Sequence, residues 1–216
     1  MARIKWCGII NDTREFQTGT LAQNAVKMRM PETIIKMQLY SLPFAAVMFA
    51  LCFGAMFVRT SSAGEMVFSP FFVPLGVLIG LLLLIVHELL HAVVYPSGAE
   101  AAVGIMPKQA AAVVLASYPL SRKRFTLMSL LPAVLGIIPL AVFCFLPADM
   151  KRLSGIMFGA AIMGCISVAP DIYNVFQMLR QAPSGSMIQF HGDDMYYICS
   201  VEQTIKTETE RSRRNK

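Results

Sequence analysis

Phe71-Phe72-Val73-Pro74-Leu75-Gly76-Val77-Leu78-Ile79-Gly80-Leu81-Leu82-Leu83-Leu84-Ile85-Val86-His87-Glu88-Leu89-Leu90-His91-Ala92-Val93-Val94-Tyr95 is an apolar run interrupted only by His87, Glu88 and His91. It exceeds the ~20 residues that a helix needs to cross a bilayer. Histidines at i and i+4 share one helical face a turn apart, so both imidazoles can reach one metal ion. Glu88 is turned about 100° from His87, beside that face. A glutamate there can take a proton from an activated water, as in metallopeptidases. A centred charge costs about 2.5–3.5 kcal/mol on insertion scales. An ionisable cluster inside a span therefore points to function.

The rest of the chain fits a membrane setting. Hydrophobic residues make up 56% of the sequence and charged ones only 15%, and mean hydropathy is +0.58. This departs from ordinary soluble domains. Spans are expected at about 40–58, 71–95, 126–147 and 154–179. The first follows a mixed-polarity segment, so it reads as a span and not as a cleaved leader. Basic residues cluster before the first span (Arg3, Lys5, Arg14, Lys27, Arg29, Lys36), between the second and third (Lys108, Arg122, Lys123, Arg124) and in the tail (Lys206 to Lys216). Only Arg59, Lys151 and Arg152 fall in the other two loops. The positive-inside bias puts both termini in the cytoplasm. The net charge of +6 is thus a topology signal, and no nucleic-acid partner is expected.

The expected fold class is an all-α membrane protein of four transmembrane helices with small cytoplasmic β-hairpin elements. Residues 1–39 read as a cytoplasmic lead-in, with a partly amphipathic stretch at Leu21–Lys36. Residues 40–180 form the membrane domain, including a cytoplasmic loop at 96–125. Residues 181–216 form a hairpin and a basic, disordered tail after Thr204. Within the loop, Ala101–Met106 and Ala110–Tyr118 flank the turn Pro107-Lys108-Gln109 and read as two extended pieces. A hairpin beside the histidine helix would offer its edge to an extended peptide. The five cysteines are scattered without a Cys-x-x-Cys pair, so neither a disulfide framework nor a thiolate zinc site is expected.

A catalytic zinc needs a third protein ligand and an open position. No glutamate occurs between Glu100 and Glu202, and Asp149 falls in a loop on the wrong side. Asp171 remains, in the fourth span. His87 lies eight residues before Tyr95 and Asp171 eight before Leu179, and both spans run the same way. At 1.5 Å per residue the two sit at like depth, roughly 12 Å from the cytoplasmic ends. His191 is the competitor if the last hairpin folds back beneath the bundle. Pro170 is expected to kink the helix beside Asp171. Asn174, one turn on, either holds substrate or ligand carboxylate, or satisfies backbone groups freed by the proline.

HELLH in the second of four spans, Ser121-Arg122-Lys123-Arg124-Phe125 leading to Leu131-Pro132, and an aspartate in the last span resemble a family of small bacterial membrane proteins. That family was long labelled a domain of unknown function and takes its zincin peptidase name from an HExxH motif. Gly19-Thr20-Leu21-Ala22-Gln23-Asn24-Ala25-Val26-Lys27 and Pro183-Ser184-Gly185-Ser186 are similar to it too. More distantly the chain is similar to site-2 proteases, although Ile172 follows Asp171 where those enzymes usually have glycine. The resemblance implies His87, His91 and Asp171 as zinc ligands and Glu88 as base, in a bacterial plasma membrane. The expected function is zinc-dependent hydrolysis of peptide bonds near the cytoplasmic face. Expected partners are membrane lipid and a membrane-protein or peptide substrate. The alternative is a non-catalytic zinc-binding or regulatory membrane protein.

Overall fold

The computed structural model describes residues 2–107 and 111–199. Lys108 and Gln109 of the loop turn, and the charged tail after Thr204, lie outside the described residues.

Four helical stretches are long and apolar enough to cross a membrane: Ile34–Ala63, Pro70–Val94, Arg122–Phe145 and Lys151–Gln181. The first is one continuous helix, α1 (Ile34–Ala63). It opens where Thr33 accepts the Lys36 backbone N–H and closes at Gly64 with φ 68, a left-handed cap that glycine adopts without steric cost. It starts before the Tyr40 read from hydropathy, because the capping threonine and not the apolar run sets its first turn.

The other three are each broken. The second divides at Leu83 into α2 (Val73–Leu82) and α3 (Leu84–Val94). The third divides at a 3-10 turn, Leu131–Ala133, into α4 (Arg122–Leu130) and α5 (Val134–Phe145). The fourth divides at Val168 into α6 (Lys151–Ser167) and α7 (Ala169–Gln181). Pro132 and Pro170 explain two of these breaks, since neither can donate to the carbonyl four residues back. Pro170 lies in the opening turn of α7, where proline is well suited.

Helix α6 is the centre of the bundle, packed between α2 and α5 and also against α1. Small residues allow the approach. A Cβ on Gly159 would come within 2.2 Å of the Val73 carbonyl oxygen, and one on Gly164 within 2.5 Å of the Leu135 carbonyl oxygen. Small residues of this kind let helix backbones approach closely.

Two sheets sit at one end. β1 (Arg3–Ile9) pairs parallel with β3 (Glu100–Met106), which pairs antiparallel with β4 (Ala111–Leu115). β2 (Ala25–Lys27), β7 (Asp194–Ile198), β6 (Met187–His191) and β5 (Leu120–Ser121) form the second sheet, in that order. Both expected hairpins are present, β3–β4 and β6–β7. They are extended by strands from the N-terminal segment, which sequence reading treated as a lead-in with an amphipathic stretch. Ala25–Lys27 form a strand instead, because Tyr196 to Ile198 offer a free edge to pair with. Thr13 and the Arg14 guanidinium both donate to Asp193, tying the chain start to the β6–β7 turn. A buried cluster including Ala92, Val103, Phe125, Met128, Met178 and Ile188 joins the sheets to α3, α4 and α7.

Candidate metal centre

His87 and His91 both lie on the buried face of α3, at 4% and 6% exposure. Their rings stand edge to face with centroids 4.9 Å apart. The end of α3 is fixed from α4, where the Arg124 side chain donates to the Val94 carbonyl at 2.7 Å.

Each ring nitrogen has an assignable role. His91 Nδ1 lies 2.8 Å from the Met128 carbonyl oxygen. A carbonyl only accepts, so Nδ1 carries the proton. His87 Nδ1 lies 3.3 Å from Ser167 Oγ, and that hydroxyl donates its one proton to the Gly164 carbonyl at 3.0 Å. His87 Nδ1 is therefore the donor there as well. In the neutral rings both Nε2 atoms are left with lone pairs, and the partner on the far nitrogen sets which one can bind a metal.

Both lone pairs meet Asp171 in the first turn of α7. Asp171 Oδ2 lies 3.1 Å from His87 Nε2, and Oδ1 lies 3.4 Å from His91 Nε2. With both imidazoles neutral, three acceptor groups thus converge. Such an array is repulsive unless a proton or a metal cation occupies it. Two nitrogen or oxygen donors each about 2.0–2.1 Å from a tetrahedral zinc stand roughly 3.3–3.4 Å apart. The observed 3.1 and 3.4 Å, made to the two different carboxylate oxygens, lie close to that spacing, and the donor set of two imidazoles and a carboxylate fits a zinc ion.

Glu88 is at the same place. One ligand atom each from His87, Glu88 and His91 lie within 4.8 Å of one another. Its carboxylate also reaches toward the backbone of Val114 in β4, the edge strand packed on α3. Asn174 lies one turn beyond Asp171, and its buried Oδ1 has no hydrogen-bond partner. His191 is elsewhere: its Nδ1 donates to the Gly19 carbonyl at 2.9 Å. Ser167 and the Met128 carbonyl were not singled out from sequence. Ser167 stands one turn before Asp171, and Pro132 stands four residues after Met128. Those two spacings were the available signals.

A sequence model of the family described as "Putative zincin peptidase" matches residues 80–187, half of the chain. The chain belongs to this family. The stretch shared with the zincin peptidase family holds α3 through α7 and every residue of the centre. No curated protein and no solved structure matches the chain.

Proposed function

We propose that this protein is a zinc-dependent peptidase embedded in the bacterial plasma membrane, with its centre near the cytoplasmic face. The observation that carries the reading is the convergence of His87 Nε2, His91 Nε2 and the Asp171 carboxylate, with each Nδ1 held by a partner outside the centre. Membrane residence is supported by outward apolar side chains on every long helix, such as Phe57, Leu82, Ile138 and Leu153. A soluble protein rarely leaves so much contiguous apolar surface bare. The basic residues of the N-terminal segment and the β-sheet end then favour the cytoplasm for that end.

His87, His91 and Asp171 would hold the ion. Zinc, when bound, activates water and polarises a carbonyl. The remaining work belongs to the chain. Glu88 takes a proton from the attacking water and delivers it to the leaving amine, so that water adds across the C–N bond. Ser167 and the Met128 carbonyl hold the two imidazoles in orientation. Asn174 Oδ1 is available to accept a substrate amide N–H. The edge of β4, next to Glu88, can hold an extended segment by strand pairing. Substrates are membrane proteins or peptides in this reading, and lipid is the surrounding partner.

One observation favours a second reading. The ligand atoms that lie within 4.8 Å of one another are those of His87, Glu88 and His91; Glu88 as a protein donor in addition to Asp171 would close the site and leave a structural zinc. Glu88→Gln separates the two. A base lost from an open site leaves zinc content unchanged and abolishes peptide cleavage. Zinc lost together with Glu88 would favour the closed, non-catalytic site.

A further inference from the structure

His91 is oriented by a backbone carbonyl that an uninterrupted helix would not offer. In α4 the Met128 carbonyl would normally accept the N–H of residue 132. Residue 132 is proline, fully buried in the 3-10 turn Leu131–Ala133, and has no N–H. The Met128 carbonyl instead accepts His91 Nδ1–H from the neighbouring α3, at 2.8 Å between two buried residues. The turn's other hydrogen bonds go elsewhere: Leu131 N–H donates to Leu127, and Val134 N–H to Leu131 and Pro132.

We propose that Pro132 is a positioning residue for the metal centre. By withholding a backbone N–H it frees the Met128 carbonyl, which fixes the Nδ1–H tautomer of His91 and turns Nε2 toward Asp171. This rests on the reading of the site as a metal centre. The same span holds an internal comparison. Pro139 in α5 likewise frees a carbonyl four residues back, that of Leu135, but this one packs against Gly164 and, among the described residues, accepts no histidine N–H. The inference is therefore about where the proline falls and not about prolines in general.

The test uses the full chain purified in detergent, with zinc affinity measured by chelator competition. Histidine ¹⁵N signals are recorded on metal-free protein at a pH where the imidazoles are neutral. Pro132→Ala is expected to weaken zinc binding about 10–100-fold, the range for losing an outer partner of a ligating histidine. The His91 Nδ1 signal is expected to move from that of a fixed N–H toward a tautomer average. Pro139→Ala is expected to change neither. The double variant Pro132→Ala, Ala133→Pro keeps a proline in the turn but frees the Ser129 carbonyl instead. It is expected to behave as Pro132→Ala does, and it decides the matter if the single variant misfolds. Wild-type zinc affinity and wild-type His91 signals in a folded Pro132→Ala or double variant would overturn the proposal. Wild-type protein that takes up no zinc would sink the metal reading alone, and the His91 nitrogen signals would then decide the role of Pro132.

Discussion

His87 Nε2 stands 3.1 Å from Asp171 Oδ2, across 84 residues of chain. The contact is made by a helix break. Ser167 ends α6, Asp171 falls in the first turn of α7, and the interruption at Val168 lies between them. One short segment thus holds both nitrogens of a single imidazole, Ser167 Oγ on Nδ1 and Asp171 on Nε2. The breaks at Leu131–Ala133 and Val168 both fall beside the centre. Backbone groups freed at a break need a partner, and here side chains of the centre, such as His91, supply one. The interruptions are therefore part of how the site is built.

Ser167→Ala removes the acceptor of His87 Nδ1–H and frees that ring to turn. Zinc affinity is expected to fall about 10–100-fold. The thermal midpoint of metal-free protein should fall only modestly, by the cost of one unpartnered buried N–H, because among the described residues Ser167 otherwise bonds within its own helix. Chelator competition beside thermal unfolding in detergent checks both halves. An unchanged zinc constant would remove Ser167 from the centre.

Gly159→Leu forces a side chain against the Val73 carbonyl in the contact between α2 and α6. Overpacking costs typically 1–3 kcal/mol where side chains can adjust, and here the obstacle is backbone. The variant is expected to lose at least about 2 kcal/mol. Denaturation in mixed micelles reads this directly. Near-wild-type stability would mean that the two helices do not approach as described.

The link between Asp193 and the N-terminal segment carries a pH dependence. The Thr13 hydroxyl bond, together with Arg14, holds the Asp193 carboxyl below its ordinary value despite partial burial. A carboxyl lowered in the folded state contributes stability above its unfolded pKa, about 3.9. That contribution is lost as pH falls through the lower folded value. Amide exchange at Thr13–Glu15 is therefore expected to accelerate as pH falls below about 4, after correction for intrinsic rates. Asp193→Asn should show the faster exchange already at neutral pH. Protection in that variant equal to wild type at neutral pH would contradict the link.

Much of this was legible in the sequence because long apolar helices and HExxH obey strong, local rules. His87, Glu88 and His91 are neighbours by helical spacing alone. Asp171 was reachable by counting residues from the ends of two apolar helices expected to run the same way. Three things were not legible. The parallel pairing of β1 with β3 depends on a contact between distant segments, and Arg3–Ile9 has no pattern that names its partner. β2 is only three residues long, too short for periodicity to declare it. The Met128 carbonyl carries no side-chain signal at all. Only the position of Pro132 hints at it, and only once α3 and α4 are known to be adjacent.

Zinc-edge X-ray absorption on purified wild-type protein tests the central claim most directly. The account expects one zinc per chain, with two imidazole nitrogens and carboxylate oxygen at about 2.0–2.2 Å and no sulfur. Asp171→Ala should lose the metal or show a changed oxygen shell. A chain that binds no zinc, or one whose zinc signal is the same in His87→Ala and Asp171→Ala as in wild type, would contradict it.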